Sequence, residues 1–254
     1  MLKEFMCDTL RVKVFSTRQE MGDCAGSEAA ACLKRLLKEK ETINVMFAAA
    51  PSQNETLAAL LRDTEIDWSR INAFHMDEYV GLDPAHPAGF RNFLNRSIFG
   101  LRNFRSVNLL NGNAADPEAE AKRYDTLLRD NPLDACLLGV GENGHIAFND
   151  PPVADFSDPS YVKIVELEER CRMQQVNDGC FSSIDLVPRY ALTVTIPGLI
   201  QAREMFCSVP AATKADAAFH MLHDEISTKC PATILRTHPG ARLYVDADAG
   251  KHIL

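Results

Sequence analysis

The feature that most constrains the fold is the alternation of short apolar runs with stretches of helical periodicity. The runs that are typical of strands are Arg11–Phe15, Ile43–Phe47, Ile71–His75, Asp134–Val140, Ala191–Ile196, Glu204–Ser208 and Arg242–Val245. The stretches that are typical of helices are Thr17–Lys38, Asn54–Leu61, Gly89–Phe99, Pro117–Leu128 and Thr213–His223. Such alternation indicates parallel βα units, and nearly all-apolar strands are typical of a sheet covered on both faces. The sequence therefore predicts an α/β fold with a mostly parallel sheet.

Length and composition narrow the class of protein. The chain has 254 residues with no repeat and no long Gly/Ser linker, so we expect a single domain spanning residues 1–254. Its net charge of -8 argues against nucleic acid as a partner, because nucleic-acid-binding domains usually carry a basic patch. Neither a signal-like apolar core near Met1 nor an apolar run of membrane-spanning length is present. The eight cysteines form no C-x-x-C pair, so we expect reduced thiols and a cytoplasmic location.

Titratable residues follow directly on the strand predicted at 71–75. Asp77 and Glu78 come at the point where that strand is expected to end. In open parallel sheets, ligands bind beyond the carboxyl ends of the strands. A carboxylate held in such a cleft is suited to remove a proton from a carbon beside a carbonyl group. The alternative is a solvated acidic turn, for which Asp-Glu is a common sequence.

A second polar segment follows the strand predicted at 134–140. Gly139, Gly141 and Gly144 match the spacing G-x-G-x-x-G of dinucleotide-binding loops. That interpretation requires a helix directly after the glycines, whereas the sequence Asn-Asp-Pro-Pro at 149–152 would stop one. A tight glycine turn that presents Asn143, His145 and Asp150 together is the better interpretation, since histidine is well suited to move protons near neutral pH. The segment 151–160 reads as an irregular loop near the active site.

A third segment runs from a strand into a helix through the small residues Ala48–Pro51. The free amides at the start of a helix can hold an anion, which makes Ser52 and Gln53 candidates for phosphate contact. However, Ser52-x-x-Glu55 has the pattern of a capping box, which would satisfy those amides internally. Pro51 also contributes no N–H group.

Several ordered motifs across residues 43–245 resemble the glucosamine-6-phosphate deaminase/isomerase family, which shares a fold with the 6-phosphogluconolactonases. The motifs are FHMDEYVGL at 74–82, NLLNGNA at 108–114, GENGHIAFNDPP at 141–152, VPRYALTVTIPGL at 187–199 and PATILRTHPGARLYVDADA at 231–249. The resemblance implies a modified Rossmann-like three-layer sandwich. It also implies the deamination and isomerisation of glucosamine 6-phosphate, or of galactosamine 6-phosphate, with no metal and no other cofactor.

The resemblance also implies roles for individual residues. Asp77 matches the base that moves a proton from carbon 2 to carbon 1 of the opened sugar, and His145 matches the residue that assists ring opening. Asn143 and Asp150 match polar and acidic partners. The remaining candidates, for binding the substrate or its phosphate, are Ser52, Gln53, Gly144, Lys214 and Arg172.

The pattern departs from the family mainly at the phosphate. Ala49-Ala50-Pro51-Ser52 stands where many members have a glycine-rich loop, and Arg172 is aligned with the family's phosphate-binding arginine only by introducing gaps. Two other functions remain open at this point: a 6-phosphogluconolactonase-like hydrolase and a non-catalytic sugar-phosphate sensor. Homo-oligomers are also possible.

Overall fold

The computed structural model describes all residues from 1 to 254, and an eight-stranded sheet forms its centre. The strands of this sheet, in spatial order, are β1 (Lys3–Cys7), β2 (Leu10–Phe15), β11 (Ala241–Asp246), β10 (Glu204–Val209), β7 (Ala135–Leu138), β3 (Ile43–Phe47), β4 (Ile71–His75) and β6 (Ser106–Asn108). Only β1 pairs antiparallel, with β2. Every other neighbouring pair in the sheet is parallel. The predicted mostly parallel sheet is therefore confirmed.

Helices cover both faces of this sheet and complete three layers. They are α1 (Arg18–Glu39), α2 (Asn54–Arg62), α3 (Phe90–Ser97), α4 (Pro117–Asp130), α5 (Glu169–Asn177), α6 (Ile196–Ile200) and α7 (Ala215–His223). One apolar core packs α1, α2 and α3 against one face. The other core packs α4, α6 and α7 against the opposite face. The α/β sandwich predicted from the sequence is confirmed, and none of its helices is long and apolar enough to cross a membrane.

A second, three-stranded antiparallel sheet was not predicted. It consists of β5 (Asp77–Tyr79), β9 (Tyr190–Val194) and β8 (Val162–Glu166). The run at 191–196 was expected among the parallel strands, so its placement was wrong. The sequence shows that a segment is extended and apolar, but it does not show which strand it pairs with. This small sheet holds Asp77 opposite Thr193.

Close packing of α1 on α2 fixes the position of the loop that precedes α2. The Thr17 hydroxyl caps α1 by accepting a hydrogen bond from the Glu20 amide at 3.1 Å. A Cβ atom on Gly22 would lie 2.2 Å from that of Glu55, and one on Gly26 would lie 2.4 Å from the Thr56 carbonyl oxygen. Both positions therefore require glycine for this approach. The two helices then bring residue 18 next to the segment 50–55.

Candidate active site

One cleft lies at the carboxyl ends of four neighbouring parallel strands. It contains about 780 Å³ of empty space including its open mouth. The segments that directly follow β3, β4, β7 and β10 line it, as expected for a sheet of this type. Its polar and charged lining side chains are those of Arg18, Ser52, Asp77, His145, Gln174, Gln175, Asp178, Thr213 and Lys214. The loop at 151–160 is irregular, as predicted, but it does not line the cleft.

Asp77 is nearly buried, yet its side chain lines the cleft. Burial, together with the neighbouring Glu78 carboxylate, raises the pKa of Asp77 well above its ordinary value. No hydrogen bond offsets this effect. The Glu78 carboxylate points elsewhere and accepts the backbone N–H groups of Phe90 and Arg91, at 3.1 and 2.9 Å, at the start of α3. A carboxyl group with a raised pKa and no partner is suited to accept a proton from a ligand.

His145 lines the same cleft and is held from behind by a polar network. Its Nδ1 lies 2.8 Å from Asn143 Oδ1 and 2.9 Å from the nearer carboxylate oxygen of Asp150. The Asn143 amide nitrogen in turn donates to Asp150 at 2.9 Å and to Glu168 at 2.7 Å. This arrangement places the proton on Nδ1 and leaves Nε2 as the imidazole nitrogen available to a ligand. Asn143 and Asp150 do not line the cleft, and both contact His145 Nδ1.

The Asp150 carboxylate stays charged despite its burial. Desolvation by itself would raise its pKa. Hydrogen bonds from His145 and Asn143 and the backbone N–H of Glu168 outweigh that effect and hold the pKa of Asp150 below its ordinary value. A buried carboxylate that remains ionised stabilises positive charge on the adjacent imidazole. Asp77, which lines the cleft, thus has a raised pKa, and Asp150, which lies behind His145, has a lowered pKa.

The glycine turn at 139–144 leaves space for the His145 ring and does not have the structure of a dinucleotide-binding loop. No helix follows the glycines within residues 141–160, which agrees with rejection of the dinucleotide interpretation. A Cβ atom on Gly141 would lie 2.1 Å from the His145 ring, so only glycine leaves room for the imidazole. Gly144 has a φ of +82° and packs against Cys230. It does not line the cleft, so the structure gives no support to its assignment as a substrate-binding residue.

The loop between β3 and α2 differs from its prediction in two ways. Ser52 lines the cleft, but no side chain caps the start of α2, so the predicted capping box does not form. Instead, Glu55 forms an ion pair with Arg18. Gln53, predicted as a ligand of the substrate, is fully buried, and its amide nitrogen donates to the Leu138 carbonyl at 3.2 Å. Gln53 therefore links the loop to the end of β7 and does not line the cleft.

Two basic side chains besides His145, those of Lys214 and Arg18, line the cleft. Lys214 is only 5% exposed, and its Nζ atom has no hydrogen-bond partner. Desolvation lowers the pKa of Lys214, although Asp178 and Glu142 oppose the shift. The second cation, Arg18, was not identified from the sequence. Arg172 is absent from the cleft, because its guanidinium donates to the carbonyl groups of Ile184 and Val187, and that candidate assignment is corrected.

The only cluster of side chains with the spacing of metal ligands belongs to this same network. His145 Nδ1, a carboxylate oxygen of Asp150 and the Cys171 sulfur all lie within 4.8 Å of one another. The first two are already hydrogen-bonded to each other. Burial and the nearby Asp150 raise the pKa of Cys171 well above its ordinary value, so the thiol keeps its proton and is a poor ligand. The chemistry of this cluster favours hydrogen bonding over metal binding.

Ala211 lies in the cleft in a conformation that side chains rarely adopt. Its φ is +81° and its ψ is 149°, a region populated almost only by glycine. Its N–H donates to both carboxylate oxygens of Asp246, at 3.1 and 3.0 Å, which holds the strained residue in place. Ala211 directly precedes the turn Ala212–Lys214, which carries the buried ammonium group.

Ala211→Gly is expected to raise the free energy of unfolding by about 1 kcal/mol, because glycine removes a backbone strain of about 1–3 kcal/mol and adds back less than that in unfolded-chain entropy. Urea denaturation measures the change. Ala212→Gly is the matched control: Ala212 lies in a regular helical turn, so this substitution should lower stability by about 0.5–1 kcal/mol. Equal losses in both variants would contradict the strain at position 211.

The fold and the cleft together define an α/β enzyme that moves protons on a small ligand at the edge of a parallel sheet. The chain belongs to the family of glucosamine-6-phosphate isomerases and 6-phosphogluconolactonases, whose sequence profile matches residues 16–244. It is 36% identical over 205 residues to a glucosamine-6-phosphate deaminase of an Exiguobacterium species, covering 81% of this chain and 79% of the relative. It is 32% identical over 240 residues to the deaminase of Bacillus cereus, covering 94% and 88%.

Solved structures agree with this assignment. A monomeric glucosamine-6-phosphate deaminase superposes with a TM-score of 0.86 at 29% identity, covering 94% of this chain and 98% of the other. The 6-phosphogluconolactonase of Thermotoga maritima gives a TM-score of 0.73 at 18% identity, covering 92% and 98%. The second similarity is one of fold alone.

Proposed function

We propose that the protein is an amino-sugar phosphate deaminase that converts glucosamine 6-phosphate, or its stereoisomer galactosamine 6-phosphate, to the ketose 6-phosphate and ammonia. The observation that carries the proposal is that an unpaired carboxyl group with a raised pKa, on Asp77, lines the same cleft as His145. The deaminases among the relatives and solved structures support the same reaction. We also propose that residues 1–254 act as one domain in the cytoplasm.

The residues of the cleft match the steps that this reaction needs. His145, through Nε2, moves a proton between the hydroxyl on carbon 1 and the ring oxygen, which opens the sugar. Asp77 then takes the proton from carbon 2 and returns a proton to carbon 1. The aldehyde oxygen on carbon 1 gains the proton that the amino group loses, so that the amino group becomes an imine on carbon 2. Water adds to this imine and ammonia leaves, so one water is consumed for each ammonia released. Holding both groups against an anchored sugar lowers the entropic part of the barrier.

The phosphate is proposed to bind to Lys214 and Ser52, which both line the cleft. A buried ammonium group without a hydrogen-bond partner is costly in the free protein. A bound anion supplies the missing partner and makes a charge-assisted hydrogen bond, the stronger kind. The Lys214 ammonium group also favours phosphorylated over neutral sugars, because only the phosphate offers it a negatively charged partner.

Ammonia release from glucosamine 6-phosphate and from galactosamine 6-phosphate tests the proposed function. We expect turnover of at least one of the two and much slower turnover of unphosphorylated glucosamine. Hydrolysis of 6-phosphogluconolactone is measured in parallel, because a lactonase needs no base for a carbon-bound proton. Lactone hydrolysis without ammonia release would contradict the proposal, and so would tight binding of the amino-sugar phosphates without turnover.

A further inference from the structure

The loop beside the cleft is poorly equipped to hold a phosphate by its backbone. Its residues 49–52 contain no glycine, and Pro51 has no N–H group to donate. Side chains must therefore supply donors that the backbone lacks. Lys214 is one such donor, and its Nζ atom is buried and unpartnered. Arg18 is the only arginine that lines the same space.

The position of Arg18 follows from the sheet. It is the first residue of α1 and comes three residues after the carboxyl end of β2, so it approaches the same sheet edge as the other lining segments. Its Nε lies 2.8 Å from a carboxylate oxygen of Glu55, and its Nη2 donates to the carbonyl of Pro51. Neither contact uses Nη1, so this nitrogen can donate to a ligand.

The two contacts orient the guanidinium group before any ligand binds. The Arg18 side chain is 35% exposed, so it is reachable from the cleft and yet restrained by its neighbours. Part of the entropic cost of fixing a long side chain is then already met in the free protein. A guanidinium group also matches the geometry of phosphate oxygens better than an ammonium group does.

We propose that Arg18 is a substrate-binding residue that holds the phosphate together with Lys214, and so replaces donors that the loop at 49–52 lacks. The inference rests on the proposed function, because it assigns the phosphate of that substrate to the part of the cleft that Arg18 and Lys214 line. Glu55 and the Pro51 carbonyl orient Arg18, and both belong to the loop and helix that α1 packs against.

The test measures binding of inorganic phosphate by calorimetry and turnover of the amino-sugar phosphates, using the full chain. Arg18→Gln is expected to weaken phosphate binding by about tenfold and to raise KM by a similar factor, because a partly exposed charge-assisted hydrogen bond is lost. We expect kcat to change little, because Arg18 is proposed to bind the phosphate and not the carbon atoms that react. Arg62→Gln is the matched control, since Arg62 also links α1 to α2, through Asp23, but does not line the cleft.

A second variant separates ligand binding from a purely structural role of the Arg18–Glu55 pair. Glu55→Gln removes the negative charge beside Arg18 but keeps an oxygen that can accept from Nε and orient the guanidinium group, so phosphate should bind at least as tightly as to the unaltered protein. If Glu55→Gln weakens phosphate binding as much as Arg18→Gln does, or if Arg18→Gln leaves binding and KM unchanged, the inference is wrong. Phosphate binding that depends on Arg18 without any ammonia release would keep the inference and overturn the proposed reaction.

Discussion

Asp77→Asn is expected to reduce ammonia release by about 10²–10⁴-fold, the usual contribution of a general base, while leaving KM close to that of the unaltered protein. The amide has nearly the same shape as the carboxyl group but cannot accept the proton from carbon 2. Steady-state kinetics with the amino-sugar phosphate measures both parameters. Glu78→Gln makes the same chemical change at the next residue. It should have a far smaller effect on turnover, because Glu78 binds the start of α3.

Asp77→Asn is also expected to stabilise the fold at neutral pH. The gain should exceed the roughly 0.5 kcal/mol that is typical of surface substitutions. Burial and Glu78 raise the pKa of Asp77 above its ordinary value of 3.8, so the folded state holds this proton more tightly than the unfolded state does. The cost of Asp77 is therefore absent at acid pH and appears as the pH rises through the raised pKa. Urea denaturation at several pH values should show an advantage of Asp77→Asn that grows with pH. A constant or reversed difference would contradict this account.

Asp150→Asn is the second substitution with a large expected effect. We expect kcat to fall about a hundredfold, because the imidazole loses the charge that stabilises its protonated form during ring opening. KM should change less, since Asp150 lies behind His145 and does not line the cleft. Asp150→Glu keeps the charge and should retain much of the activity that the amide loses. Equal activity of Asp150→Asn and the unaltered protein would contradict the role assigned to the pair.

Stability measurements on Asp150→Asn should show the opposite pH dependence from those on Asp77→Asn. The hydrogen bonds that Asp150 accepts hold its pKa below the ordinary value of 3.8. Its contribution to stability is therefore present above that value and is lost as the pH falls through the lowered pKa. The unaltered protein should be the more stable of the two at neutral pH, and this advantage should shrink in acid.

The parts of the fold that the sequence predicts are those with a strong local signal. The strand at 71–75 has the predicted bounds, because its five residues are enclosed by a turn and by polar residues. The three-residue strand that carries Asp77 was missed, since it is too short to show a periodicity. The pairing of Tyr190–Val194 in the small sheet depends on contacts far apart in the chain.

The positions of the candidate-site residues were also predicted correctly only where the local sequence signal is strong. Asp77 and His145 were located because each follows a buried strand, and the structure brings both to one cleft. Gln53 was predicted to contact the substrate but is buried in the interior, because sequence does not show which side chain of a turn points inward. Arg18 also follows a strand end, so the rule that found Asp77 applies to it.

The most direct test of the account is the fate of the hydrogen on carbon 2, followed by nuclear magnetic resonance with substrate deuterated at that position. The account predicts a primary isotope effect on turnover, transfer of some deuterium to carbon 1 of the ketose phosphate, and loss of both proton removal and transfer in Asp77→Asn. Ammonia release with the deuterium retained on carbon 2 of the product would contradict the account. Proton removal at an unchanged rate in Asp77→Asn would also contradict it.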